Sequence, residues 1–164
     1  MMLDKSSRKY RLAHNLWSKG KGHLWGAIEI EKASRSYAEA NEIPDIEQFI
    51  FSGKFSVSLH LLLGFASELL TKSAFIVSGG DPDFVRKHEN GHDLIRLLDA
   101  AEERGFSAPD PHTREVFQHL REPHLNHQFR YGEQAEVAMP DLIHTIPALQ
   151  LLCDEVQDIL KALA

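Results

Sequence analysis

His60, Gly64, Glu68 and Lys72 recur every four residues, and on a helix that spacing lays them along one face. Glu68 ahead of Lys72 is the favourable order for an intrahelical ion pair, worth about 0.3–0.5 kcal/mol on a solvated stripe. A second reading starts from Gly64. Glycine inside a helix costs roughly 1 kcal/mol relative to alanine, so its place one turn before Glu68 points to something packed close against the backbone there. On that reading Glu68 is drawn away from water, and a buried carboxylate without a partner would be expensive. Phe129-Arg130-Tyr131 offers one. Arginine grips a carboxylate with two parallel hydrogen bonds, and Tyr131 supplies an amphipathic anchor. The plainer alternative for that stretch is a surface loop with Phe129 tucked inward.

His88-Glu89-Asn90-Gly91-His92 has the H-E-x-x-H spacing of zinc hydrolases. That chemistry needs both histidines on one face of a rigid helix, with the glutamate as general base. Asn90-Gly91 is instead a turn signal. The segment is therefore expected to straddle a loop and a helix start, and no metal is expected. Asp93 then complements the helix macrodipole, and His92 faces the central helix as a hydrogen-bonding residue. His119, His124 and His127 gather near Arg121, but Pro123 interrupts helical spacing among them, so structural or solvent-facing histidines are expected. Gly20-Lys21-Gly22 lacks the spacing of a phosphate-binding loop. Cys153 lies on an apolar stripe and reads as inert core. No serine or cysteine nucleophile stands in a recognisable setting, and no cofactor is expected.

The elements that must position these residues read as helices nearly throughout, with no sustained period-2 strand. Residues 7–18 form a short helix, Gly20-Lys21-Gly22 a break, and residues 27–41 a second helix stopped by Asn41 and Pro44. Phe49, Ile50 and Phe51 make an apolar knot. Residues 54–78 are apolar on nearly all sides, which marks a helix buried on several faces at the centre of a bundle. Residues 79–90 read as a polar loop. A fourth helix, about 91–104, takes Asn90 as its cap and ends at Gly105. A fifth starts with Asp110 and Pro111 and stops at Glu122, before Pro123. Residues 123–140 read as an irregular connection. The last helix, about 141–163, is expected to kink at Pro147 or to restart under a Thr145 cap.

The chain has 164 residues, of which 43% are hydrophobic, and a net charge of −6. That length fits a single domain over 1–164 with a sizeable core and no need of disulfide or metal staples. The polar interruptions at His60, Glu68 and Lys72 argue against a membrane span, and residues 1–8 have neither the apolar core nor the cleavage site of a secretory signal. A lone cysteine fits a reducing cytoplasm. An acidic chain is a poor general binder of nucleic acid, although a local basic patch remains open.

Leu62-Leu63-Gly64-Phe65-Ala66-Ser67-Glu68-Leu69-Leu70-Thr71-Lys72, followed by Gly91-His92-Asp93-Leu94-Ile95-Arg96-Leu97-Leu98, resembles the core of HEPN-type helical domains. These are nucleotide-binding or RNA-processing proteins, many of them from toxin–antitoxin or defence systems. The resemblance spans about residues 62–98, and Arg130-Tyr131 is similar to a pair in further members. It implies an all-α, up-and-down bundle of five or six helices acting as a homodimer on RNA or nucleotides, with a nucleotidyltransferase-type antitoxin as a further partner. Many such domains are metal-independent ribonucleases carrying an Arg-x(4–6)-His motif, and Arg121 and His127 meet that spacing. By this resemblance His127 is the general acid or base, and Arg121 or Arg130 stabilises the phosphorane-like charge. The competing reading is a non-catalytic binding module, in which Glu68, Lys72, His92, Asp93, Arg130 and Tyr131 form a polar network or grip a ligand. A zinc hydrolase through His88 and His92 is the third.

Overall fold

A helix that is apolar on nearly every side is stable only when other elements surround it, and the fold is organised around one such helix. The computed structural model describes residues 7–87, 91–126 and 140–163. Among them lie seven helices and no strand: α1 Arg8–Ala40, α2 Ile46–Ser52, α3 Ser56–Val77, α4 Pro82–Arg86, α5 Leu94–Glu102, α6 Thr113–Leu125 and α7 Leu142–Ala162. The chain is thus all-α. Helix α3 packs against α1, α2, α5, α6 and α7. Its Leu59, Leu63, Ala66, Leu70, Ala74, Phe75 and Ile76 are completely buried in the main core. By length and composition α3 is apolar enough to pass for a membrane span, but 78% of that stretch is buried inside the protein.

Several boundaries differ from those read in the sequence. The expected break at Gly20-Lys21-Gly22 is absent, and α1 is one helix of 33 residues. Gly20 serves close packing rather than a turn. A Cβ there would lie 2.9 Å from Leu70 Cγ and 3.1 Å from the Leu70 backbone nitrogen on α3. Lys21 holds its ammonium 5.0 Å from the Trp17 ring and 5.1 Å from the Trp25 ring, one turn to either side, a ladder that requires continuous helix. The expected loop over 79–90 contains α4, started by Asp81, whose carboxylate accepts from the Asp83 N–H, and by Pro82 in the first turn. Helix α5 is capped by Asp93 rather than Asn90: the Asp93 carboxylate accepts from the Arg96 N–H at 3.2 Å. The left-handed Gly105, at φ +88°, lies just beyond this helix as expected.

Pro123 does not stop its helix, and Pro147 does not force a restart. Helix α6 passes through a buried Pro123 and ends at Leu125. Pro123 falls in the last turn, where few ladder bonds follow it, and the Asn126 N–H reaches the Glu122 carbonyl across it at 3.0 Å. Helix α7 is continuous through Pro147. Asp141 caps it, and the Thr145 hydroxyl donates to the Asp141 carbonyl at 2.5 Å instead of capping a restart.

Candidate functional site

The polar line on α3 faces inward. Glu68 is 5% exposed and Lys72 9%. The Lys72 ammonium donates to Glu68 Oε1 at 2.5 Å. The second oxygen, Oε2, is approached by two imidazoles, His124 Nε2 from α6 at 2.6 Å and His92 Nδ1 from the turn before α5 at 3.0 Å. An ionised carboxylate only accepts, so both ring nitrogens aimed at it carry hydrogen. Burial by itself pushes the Glu68 carboxyl up. The hydrogen bond from His124, the charge and hydrogen bond of Lys72 and the hydrogen bond from His92 outweigh it, and together hold the group down at about 2.

Three separate pieces of chain therefore converge on one carboxylate, and each has a local reason to do so. Gly64 sits one turn before Glu68, and a Cβ there would lie 2.7 Å from His124 Nδ1. The missing side chain is what lets the imidazole lie against the α3 backbone. Phe65 closes over the same ring edge-on, with centroids 5.6 Å apart. Gly91 plays the matching part on the other side: a Cβ there would be 2.6 Å from the Val85 carbonyl and 3.3 Å from Lys72 Nζ. Asp93, next to His92, is gripped from α6 by Arg121, with Nε to Oδ1 at 2.9 Å and Nη2 to Oδ2 at 2.6 Å. That two-pronged pair ties the start of α5 to α6, the helix that delivers His124. Burial pushes the Asp93 carboxyl up, but Arg121 and the backbone N–H of Arg96 bring it below the ordinary range.

The expected burial of Glu68, its pair with Lys72, the approach of His92 and the close packing at Gly64 are all present. His124 is the residue that sequence reasoning missed. Pro123 suggested a helix end, whereas α6 carries His124 one residue further to a position 5% exposed. Its signal in the sequence was Gly64, which announced a close neighbour without naming it. His119 is half-buried on its own helix, with Nδ1 3.0 Å from the Glu115 carbonyl. Arg121, expected at a catalytic centre, is engaged with Asp93. His88 and Glu89 of the H-E-x-x-H segment, and His127, Arg130 and Tyr131, lie outside the described residues. Cys153 is buried as expected, and burial pushes its thiol up.

A cleft of about 320 Å³ opens beside this centre, between α1, α4 and the turn before α5. Leu12, Leu16 and Val85 supply its apolar wall, and Lys72, Arg86, Lys87 and His92 its polar one. No carboxylate lines it among the described residues. His92 belongs to both places, with its side chain 35% exposed on the cleft side of Glu68. Arg86 also reaches Asp83 at 3.3 Å, in an exposed and weak pair. No protein-family model matches the chain, and comparison with curated proteins and with solved structures returns no match.

Proposed function

We propose that this chain is a HEPN-like binding module that takes a phosphate-bearing ligand, a nucleotide or an RNA phosphate, in the cleft beside Glu68. The observation that carries the reading is the lining of that cleft. Lys72, Arg86, Lys87 and His92 converge on one cavity in a chain whose net charge is −6. Cationic side chains set in a concave place with no carboxylate among its described lining residues favour anions there. The buried Glu68 balances Lys72 and fixes His92 without facing the ligand. Binding rather than cleavage is what the described geometry supports, because Arg121, one half of the Arg-x(4–6)-His pair, is spent on Asp93. The same reading carries a homodimer and a nucleotidyltransferase-type antitoxin as partners.

Calorimetric titration with AMP, with pyrophosphate and with a short single-stranded RNA tests the proposal. The expected result is salt-sensitive binding of at least one of them. Each charge-assisted contact is worth about 1.5–3 kcal/mol, so the Arg86→Ala, Lys87→Ala double variant should bind at least tenfold more weakly. Absence of binding to all three, or affinity unchanged in the double variant, refutes the reading. A fluorescent RNA incubated in EDTA with the wild type and with His127→Ala adds the catalytic arm. Cleavage by the wild type alone would move the function from binding to metal-independent RNA cleavage, with the RNA's own 2′-hydroxyl attacking and the 5′-oxygen leaving.

A further inference from the structure

We propose that Glu68 Oε2, His92 Nδ1 and His124 Nε2 form a binding site for one divalent transition-metal ion of the zinc type. The three atoms come from α3, the turn before α5 and α6, and all lie within 4.8 Å of one another. Donors held 2.0–2.2 Å from a tetrahedral ion sit roughly 3.4 Å apart. The observed separations of 2.6 and 3.0 Å from Oε2 both fall short of that figure, and displacements of an ångström or less bring the three donors round an ion. Two histidines and one carboxylate with a further position open is a donor set that suits zinc, iron or cobalt.

The surroundings have the form of an outer shell. Lys72 occupies only Oε1, so Glu68 can ligate through Oε2 alone while the ammonium holds its other oxygen and fixes its orientation. His124 is clamped between the Gly64 backbone and the Phe65 ring, so little side-chain freedom is lost on binding. His92, at the cleft wall, gives the ion its way in and leaves its open position facing the cavity. On binding, each imidazole presents a lone pair where it now presents a hydrogen. The proton moves to the other ring nitrogen or leaves to solvent, and the ion takes its place. This chemistry does not use the His88-Glu89-Asn90-Gly91-His92 spacing: His92 is shared, but its partners are on other helices.

The test uses the full chain, stripped with chelator and titrated with Co²⁺ followed by absorption and with Zn²⁺ followed by calorimetry. One equivalent is expected to bind, with a visible cobalt spectrum and a raised Tm. His92→Ala, the partly exposed ligand, should keep its helical circular dichroism and lose about 100-fold or more in affinity. His144→Ala is the control, because the His144 and His112 rings lie tilted with centroids 4.3 Å apart on the surface beside Glu115 and Asp141, a place that suits an adventitious ion. No bound equivalent, or affinity kept in His92→Ala, overturns the proposal, and loss in His144→Ala instead marks an adventitious surface ion only. The probe is the metal alone, so failure here with phosphate binding retained leaves the cleft reading standing.

Discussion

Replacing Glu68 by glutamine keeps the side chain's shape and removes its charge, so it isolates what the buried carboxylate contributes. In the native protein its two oxygens accept from Lys72, His92 and His124 at 2.5, 3.0 and 2.6 Å. A carboxamide presents one oxygen and one NH₂, so at least one donor faces another donor, and Lys72 is left as a buried cation without a counter-charge. Removing one partner of a buried pair costs about 3–5 kcal/mol. The lowering of the Glu68 carboxyl from 4.5 to about 2 gives an independent figure, about 3 kcal/mol at neutral pH. His92 admits some water, so the expected loss is at the lower end, about 3 kcal/mol. For a chain of this length that corresponds to a fall in Tm of roughly 6–12 °C. The assay is urea denaturation followed by far-ultraviolet circular dichroism. The sign with pH is fixed by the depressed value: Glu68's contribution is full above 4.5, shrinks as pH falls below it and is gone below about 2. The gap between wild type and Glu68→Gln should therefore narrow in acid. A loss under 1 kcal/mol at pH 7, or a gap that does not change with pH, refutes the reasoning.

Further expectations follow from neighbouring contacts. Gly64→Ala should destabilise by about 1–3 kcal/mol by denaturation, because its Cβ meets the clamped His124 ring; a gain in stability, as glycine removal from an open helix would give, contradicts this. Asp93→Ala removes both a helix cap and the anchor of Arg121 and should cost about 1–2 kcal/mol. Arg121→Ala should cost less, since its side chain is 47% exposed and solvent screens the pair; the reverse order would be wrong. Burial pushes His60 below its ordinary 6.5 against the hydrogen bond to the Phe51 carbonyl. Its contribution is full above 6.5 and declines as pH falls. His60→Gln should flatten the loss of stability between pH 6.5 and 5, and parallel curves would contradict that assignment.

What was legible in the sequence followed from patterns that one helix can express alone. The all-round apolarity of α3 identified the centre of the bundle, and the four-residue spacing of Gly64, Glu68 and Lys72 identified its polar face. Residues whose meaning depends on a partner helix were misread. Gly20 looked like a break because glycine is weak in an isolated helix, whereas contact with Leu70 on α3 is what selects it. Pro123 looked like a stop because proline removes a ladder bond, whereas in the last turn few such bonds remain and the next residue is the buried His124. The site was half legible for the same reason. Glu68 and Lys72 share a helix, and His92 was placed by its neighbour Asp93 at a helix start, but the arrival of His124 is a tertiary event that only the missing side chain at Gly64 foreshadowed.

The charge state of Glu68 is what everything else at this centre depends on. Carbon-13 NMR of the glutamate side-chain carboxyls, followed through an acid titration of the folded protein, reads it directly. A carboxyl that remains ionised through pH 3 and titrates near 2, and is missing from the Glu68→Gln spectrum, is the predicted result. Titration of Glu68 at 4.5 or above would contradict the account.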